Sequence, residues 1–160
     1  MAIEIERKFI VNKELWEKVD KPAGNSLVQG YIHSDGNKTI RIRTANKKGF
    51  ITIKGKSSAD GLSRAEFEYE IPESDALELL NLFTDKAINK IRYKILFEGF
   101  IWEVDIFEGN NSGLIIAEIE LQSEEQSFTK PDWIAQEVTG DIRFYNSYLI
   151  NNPFINWGKN

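Results

Sequence analysis

Pairs of like-charged residues separated by one position recur along this sequence. They are Glu4/Glu6, Arg41/Arg43, Lys54/Lys56, Glu66/Glu68, Lys90/Arg92 and Glu118/Glu120. Residues i and i+2 project from the same face of a β-strand, so each pair would set two equal charges side by side. Paired cations suit a phosphate chain, and paired carboxylates suit a hard divalent cation such as Mg²⁺ or Mn²⁺. A surface holding both kinds of pair suits a metal–polyphosphate complex.

The alternative is an antiparallel sheet whose charged face lies in water. A solvated sheet gains more by mixing the signs of its charges, because like charges repel across strands and opposite charges attract. When like charges are partly buried, they are costly unless an opposite charge lies between them. Repeated same-sign pairs therefore favour a ligand-filled interior.

Period-two alternation of apolar and polar residues predicts the strands that carry these pairs. Eight strands are predicted, over residues 3–9, 27–33, 39–45, 50–55, 64–71, 89–97, 100–108 and 114–121. Several connections are short and rich in Gly, Asn and Asp, which favours antiparallel neighbours. Three helices are predicted over residues 13–19, 72–83 and 142–151, the first capped by Asn12, and a short turn over 132–136.

Eight antiparallel strands can close into a barrel, which leaves no free edge. If the charged faces point inward, the apolar faces point outward and need cover from the helices and the four tryptophans. We therefore predict an α+β, mainly β fold: a closed eight-stranded antiparallel tunnel barrel with a charged lumen and a few covering helices. Residues 1–160 are predicted to form a single domain, since no linker or repeat interrupts them.

Composition excludes several other kinds of site. The chain has 160 residues, no cysteine and one histidine, so thiolate metal sites, cysteine nucleophiles and multi-histidine zinc centres are excluded. Its net charge of −5 argues against nucleic acid as a partner. The charged N-terminus predicts no signal peptide, no apolar run approaches a membrane span, and the cytoplasm is the expected location.

The ordered set of charged motifs resembles the CYTH family, the triphosphate tunnel metalloenzymes. The resemblance starts at Glu4-Ile5-Glu6-Arg7-Lys8 and covers nearly the whole chain in order. It continues through Gln29-Gly30-Tyr31, Arg41-Ile42-Arg43, Thr52-Ile53-Lys54, Arg64-Ala65-Glu66-Phe67-Glu68, Lys90-Ile91-Arg92-Tyr93, Glu103-Val104-Asp105, Ala117-Glu118-Ile119-Glu120-Leu121 and Glu137-Val138-Thr139, with Arg143, Tyr145 and Asn146. The five residues of the first motif alone would support this resemblance only weakly, whereas the ordered set of motifs is specific for the family.

This resemblance implies a metal-dependent enzyme acting on a triphosphate, with Mg²⁺ or Mn²⁺ as cofactor. Substrate binding is expected from the cations Lys8, Arg41, Arg43, Lys54, Arg64, Lys90 and Arg92. Metal binding is expected from the carboxylates Glu4, Glu6, Asp105, Glu118 and Glu120. Catalytic roles are expected for Lys8, Tyr31, Glu66 and Glu68, the last two acting through water. Phosphoryl transfer relies on positioning and electrostatics, so no protein nucleophile is required.

The expected reaction is hydrolysis of inorganic triphosphate to pyrophosphate and phosphate. An organic triphosphate is the first alternative, for a thiamine triphosphatase, a nucleoside triphosphatase or a class IV adenylate cyclase. A non-catalytic module binding polyphosphate or nucleotide is the second, and a barrel with an apolar lumen for an apolar ligand is the third. The expected partner is a small phosphorylated substrate, without nucleic acid or membrane, and a homodimer is compatible with the sequence.

Overall fold

The structure is a computed structural model that describes residues 2–158. Its strands are β1 Ile3–Val11, β2 Asn25–Ser34, β3 Thr39–Ala45, β4 Lys48–Lys54, β5 Ser63–Ile71, β6 Ile88–Phe97, β7 Phe100–Phe107, β8 Ile115–Glu120 and β9 Ile134–Glu137. Its helices are α1 Lys13–Glu17, α2 Glu73–Phe83 and α3 Asn146–Leu149. Single 3₁₀ turns lie at Gly109–Asn111, Ile142–Phe144 and Phe154–Asn156.

Eight of the strands close into an antiparallel barrel, as predicted. They run in the order β5-β4-β3-β2-β6-β7-β8-β1, and β1 then pairs with β5 to complete the circle. That closing seam is short: Ile3, Glu4 and Ile5 lie opposite Ala65, Arg64 and Ser63. One edge of strand β1 pairs with β8. Its other edge pairs with β5 at the start of the strand and with β9 at its end.

The barrel turns its apolar side chains outward, so the hydrophobic core lies outside the wall. One core cluster covers β1, β7 and β8 and includes Phe9, Trp16, Trp102 and Trp133. A second cluster forms where the C-terminal segment packs on β6 and β8, and Phe144 and Leu149 belong to it. The burial of these clusters holds the wall together, while the interior carries buried charges. An apolar-ligand barrel is therefore excluded.

The cover on the outer wall is incomplete. Helix α2 packs on β2, β3 and β4. The contact is close because Gly49 has no side chain: a Cβ atom added to Gly49 would lie only 2.5 Å from the Cβ of Ala76. Beyond α2, the side chains of Ile53, Phe67 and Tyr69 remain exposed on β4 and β5. The helices and tryptophans, which were expected to help cover the wall, therefore leave this part of it open.

Two local expectations are also wrong. Residues 132–136 were expected to form only a turn, but a turn at 132–133 leads into strand β9. Residues 142–151 do not form one helix, because Tyr145 is extended, with φ −75° and ψ 135°, and separates a 3₁₀ turn from α3. The cap at Asn12 is confirmed, since its side chain accepts a hydrogen bond from the Leu15 amide. No described helix is long and apolar enough to cross a membrane.

Candidate active site

A cavity of about 870 Å³ runs through the barrel and is lined mostly by charged side chains. The alternation of the strands delivers these side chains, because every second residue of each strand faces the lumen. Nearly all residues predicted for the site line it. They are Glu4, Glu6, Lys8, Tyr31, Arg41, Arg43, Lys54, Arg64, Glu66, Glu68, Lys90, Arg92, Glu118 and Glu120. Asp105 is the exception and lies behind the lining.

Glu4 is held by two cations at the β1–β5 seam. The Lys54 Nζ lies 3.0 Å from Glu4 Oε2, and the Arg64 Nε donates to the same oxygen at 3.3 Å. Burial alone would raise the pKa of the Glu4 carboxyl, but Lys54 and Arg64 outweigh it and lower that pKa to about 2. Glu4 is therefore ionised and already neutralised when no ligand is bound.

Unlike the carboxylate of Glu4, those of Glu6 and Glu120 are not neutralised by any described cation. These residues lie directly across from each other on β1 and β8, an arrangement that is unfavourable for like charges. Within residues 2–158 neither carboxylate forms an ion pair, whereas Lys8 pairs with Glu118 at 3.4 Å. Burial, followed by repulsion from Glu118 and Glu4, raises the pKa of Glu6 well above its usual value. Burial, followed by repulsion from Glu4 and Glu103, also raises the pKa of Glu120.

Asp105 is the anchor of a buried ion cluster on β6 and β7. Its carboxylate accepts two hydrogen bonds from Arg92, at 2.7 and 2.8 Å. The Lys90 Nζ lies 2.7 Å away, and the side chains of Asp105 and Lys90 are only 1% and 2% exposed. Burial would raise the Asp105 pKa, but Arg92 and Lys90 lower it to about 2. Asp105 therefore orients two cations toward the lumen, and its predicted metal role is not supported by this arrangement.

On β3, which β2 separates from β6, Arg41 and Arg43 share a single carboxylate. Glu68 Oε2 lies 3.4 Å from an Arg41 nitrogen and 3.6 Å from an Arg43 nitrogen, and it also accepts a hydrogen bond from the Thr52 hydroxyl. Burial, followed by repulsion from Arg41 and Arg92, lowers the pKa of Arg43 to about 10. Two guanidinium groups against one carboxylate leave a net positive surface, which is what an anionic substrate requires.

Glu66 lies near Glu4 and Lys54 at the seam. Burial, partly offset by Lys54 and reinforced by the Glu4 charge, raises the pKa of Glu66 to about 7. Its carboxyl group therefore titrates near neutral pH, which is the property expected of a group that takes a proton from water. The predicted catalytic role of Glu66 is compatible with this environment.

Lys8 is buried where the C-terminal segment lines the tunnel. Its ammonium donates to the Phe144 carbonyl at 3.3 Å and lies 5.0 Å from the centre of the Tyr145 ring. The break in the helix at Tyr145 leaves that carbonyl available. Tyr31 also faces the lumen, and its hydroxyl accepts a hydrogen bond from the buried Gln29 amide at 3.1 Å. Burial raises the Tyr31 pKa, so this hydroxyl keeps its proton.

Among the lining residues that the predicted site omitted are Glu103, Tyr145 and Asn146. Glu103 lies two positions before Asp105 on β7 and pairs with Arg92 at 3.0 Å, so strand alternation could have included it. Tyr145 and Asn146 could not be assigned in this way, because a continuous helix was expected there. Their inward orientation follows from the extended backbone at Tyr145.

The oxygen donors fit a hard divalent cation, although they are not gathered around one point. Within residues 2–158, no three acidic side chains converge closely enough to hold a metal ion as they stand. The Glu4 carboxylate already forms ion pairs with Lys54 and Arg64, and the Glu118 carboxylate already forms one with Lys8. Glu6 and Glu120 have no ion-pair partner within residues 2–158, and their raised pKa values show that their charged forms are disfavoured without a compensating cation. A divalent cation would relieve this repulsion, and carboxylate oxygens are its preferred ligands.

A closed antiparallel barrel with a lumen of opposed cations and carboxylates defines a tunnel protein of the triphosphate class. The model of the CYTH domain matches residues 2–145, and the chain belongs to the CYTH family. The chain is 51% identical over 158 residues to an inorganic triphosphatase of Acetivibrio thermocellus, covering 98% of this chain and 99% of that protein. It is 34% identical over 154 residues to an inorganic triphosphatase of Nitrosomonas europaea, covering 91% and 95%.

The fold is also similar to that of solved structures. The crystal structure of the inorganic triphosphatase NE1496 superposes with a TM-score of 0.64 at 31% identity, covering 94% of this chain and 95% of that one. A putative adenylate cyclase from Bacillus halodurans superposes with a TM-score of 0.59 at 19% identity, covering 78% of this chain and 84% of that one. The second similarity shows the shared fold alone.

Proposed function

We propose that this protein is a metal-dependent triphosphatase that hydrolyses inorganic triphosphate to pyrophosphate and phosphate inside its tunnel. The observation that carries the proposal is the lumen itself, in which eight lysine and arginine side chains face a set of carboxylates that is only partly neutralised. The naming of two near-full-length relatives as inorganic triphosphatases supports the choice of substrate. A pure anion-binding module would have little use for Glu6 and Glu120.

The cations are proposed to hold the phosphate chain from several sides. Arg41 and Arg43 offer planar groups that bond two phosphoryl oxygens at once, and lysines offer compact charges. Arg92 is fixed in direction by Asp105 and Glu103, so little entropy is lost when it binds substrate. Lys8, Lys54, Arg64 and Lys90 complete the binding set. Multiple fixed cations stabilise the negative charge of the transition state.

Mg²⁺ or Mn²⁺ is the proposed cofactor, with Glu4, Glu6, Glu118 and Glu120 as the residues that would hold it. When bound, such an ion neutralises phosphoryl oxygens and lowers the pKa of coordinated water. Glu66 and Glu68 are proposed to orient water or to accept its proton, and Tyr31 to donate a hydrogen bond to a phosphoryl oxygen. Asp105 is proposed as a positioning residue for Lys90 and Arg92.

Phosphate release from tripolyphosphate, ATP and thiamine triphosphate, each with Mg²⁺, Mn²⁺ or EDTA, tests the proposal. We expect turnover of tripolyphosphate to exceed that of the organic substrates and to stop in EDTA. Formation of cyclic AMP from ATP would instead indicate a cyclase. Tight binding of tripolyphosphate without turnover under any metal condition would indicate a binding module and overturn the proposal.

Replacement of Arg41 by alanine is expected to raise the KM for tripolyphosphate by about tenfold or more, since a charged hydrogen bond to substrate is worth about 1.5–3 kcal/mol. The kcat is expected to change less. Steady-state kinetics measures both values. Lys38, an exposed cation that precedes β3, supplies the control, and Lys38→Ala should leave both constants unchanged. Equal KM and kcat in Arg41→Ala and wild type would contradict the assignment of Arg41.

The cellular setting completes the proposal. We assign residues 1–160 to one domain in the cytoplasm, consistent with a chain that lacks cysteine. Its net charge of −5 supports a small phosphorylated substrate rather than nucleic acid as partner, and no membrane partner is proposed. A homodimer through the exposed wall residues Ile53, Phe67 and Tyr69 is proposed because apolar patches of this kind mark contact surfaces.

Light scattering tests the dimer. We expect the mass of two chains for the wild type and of one chain for Phe67→Glu, which places a charge at the centre of the patch, whereas Glu14→Gln on α1 should leave the dimer intact. A wild-type mass of one chain at all concentrations would rule the dimer out.

A further inference from the structure

The C-terminal segment, residues 141–149, reaches into the tunnel at the end where Lys8 and Lys90 lie. Its contacts with these two lysines come from consecutive parts of the chain: the Phe144 carbonyl and the Tyr145 ring on Lys8, and the Asn146 side chain on Lys90. These contacts exist because the backbone leaves the helical conformation at Tyr145. The segment therefore forms part of the wall of the substrate cavity.

We propose that Asn146 is a positioning residue that orients the Lys90 ammonium group toward the bound phosphate chain. An ammonium group has three N–H donors. One points to Asp105, 2.7 Å away, and a second is accepted by the Asn146 Oδ1 at 2.9 Å. Within the described residues no other acceptor bonds to this nitrogen, and both Lys90 and Asn146 line the cavity. The third N–H is left for a phosphoryl oxygen.

Asn146 can act in this way because its own position is fixed. It is the first residue of α3, and the same helix buries Leu149 completely in the second core cluster. The side chain therefore approaches Lys90 from a rigid element. Without Asn146, only Asp105 would orient the ammonium, and the lysine could turn its donors away from the lumen. Preorganised donors bind an anion more tightly than mobile ones.

The chain supplies a matched control for this contact. Asn151, in the same C-terminal region, accepts a hydrogen bond from the Lys86 Nζ at 3.2 Å. That pair has the same chemistry as Asn146 and Lys90, but both of its members are exposed and neither lines the cavity. Removing the Asn151 amide therefore removes an asparagine–lysine hydrogen bond of the same kind, but one that involves neither Lys90 nor the cavity.

The proposal rests on the proposed function, and the experiment separates the two. Binding of tripolyphosphate is measured by calorimetry in EDTA for the wild type, for Asn146→Ala and Asn146→Leu, and for Asn151→Ala. We expect both Asn146 variants to raise the Kd by about tenfold, roughly 1.4 kcal/mol, and Asn151→Ala to leave it within a factor of two. Thermal melting should place all four proteins within a few degrees of one another. A wild type that binds no tripolyphosphate in EDTA would overturn this inference, whereas the proposed function would still be decided by phosphate release in the presence of metal.

A double-mutant cycle distinguishes positioning of Lys90 from a general structural role. In a Lys90→Met background, loss of Asn146 should have no further effect on the Kd, because the group it orients is gone. If Asn146→Leu weakened binding equally with and without Lys90, Asn146 would act by another route and the proposal would fail. Unchanged affinity of both Asn146 variants, alongside a wild type that binds, would overturn this inference alone.

Discussion

Replacement of Glu6 by glutamine should lower the metal-dependent turnover of tripolyphosphate by at least about a hundredfold, and it should also stabilise the metal-free protein. Glu6 forms no ion pair within residues 2–158, and burial and the neighbouring carboxylates of Glu118 and Glu4 raise its pKa. Glutamine removes that repulsion while keeping the shape of the side chain. Activity and metal-free stability should therefore change in opposite directions.

The stability advantage of Glu6→Gln should depend on pH, because the pKa of Glu6 is raised in the folded protein. A carboxyl whose pKa is higher in the folded than in the unfolded protein lowers the free energy of unfolding as the pH rises above its usual value of 4.5. The advantage of Glu6→Gln should hence be absent at pH 4 and should grow as the pH rises above about 4.5. In EDTA near neutral pH, its Tm should exceed that of the wild type by about 2–4 °C for each kcal/mol gained.

Glu118→Gln is the informative contrast, because Glu118 pairs with Lys8 and its pKa is strongly lowered. We expect it to lose activity like Glu6→Gln but to lower the Tm in EDTA, whereas Glu14→Gln, at an exposed position of α1, should change neither property. Calorimetric melting with and without Mg²⁺ or Mn²⁺, together with phosphate release, measures both. Full activity of Glu6→Gln across a metal titration would remove Glu6 from the metal set.

Asp105→Asn should destabilise the folded protein by about 3–5 kcal/mol, the usual cost of leaving a buried ion cluster without one partner. The carboxylate is 1% exposed and binds both Lys90 and Arg92. Its pKa of about 2 is depressed in the folded state, so the stability it contributes is present above its usual value of 3.8 and is lost as the pH falls toward 2. The gap between variant and wild type should therefore close in acid.

Glu103→Gln provides the control, since Glu103 also pairs with Arg92 but is 29% exposed. Its loss should cost no more than about 1 kcal/mol. Denaturant unfolding at pH 7 and pH 3 measures these differences in the absence of metal. If Asp105→Asn were as stable as wild type and instead abolished stabilisation by Mg²⁺ or Mn²⁺, Asp105 would be a metal ligand, as the sequence originally suggested.

The sequence predicted the barrel because the signal it carries is geometric. Alternation along a strand decides which side chains share a face, so Glu4 and Glu6 or Arg41 and Arg43 could be placed in one lumen without coordinates. The eight strand boundaries agree within about two residues for the same reason. Strand β9 was missed because it has only four residues and its pairing with β1 is interrupted by a shift in register.

The pairing of individual charges could not be predicted, because it depends on the register between strands. Asp105 lies opposite Arg92 on β6, whereas Glu120 lies opposite Glu6 on β1. Both acids stand on polar strand faces in the sequence, yet one is neutralised by cations and the other faces a like charge. The inward position of Asn146 was likewise hidden, since it depends on the extended conformation of one residue, Tyr145.

The position of β1 has a consequence for the way this chain is synthesised. This strand leaves the ribosome before each of the strands with which it pairs within residues 2–158, which are β5, β8 and β9. The Lys8 amide, for example, donates to the Thr139 hydroxyl, 131 positions further along. At about 5–20 residues per second, the nascent strand waits many seconds, with Phe9 and Val11 uncovered, until its neighbours emerge. We therefore expect β1 to be the segment through which the nascent chain depends on chaperones.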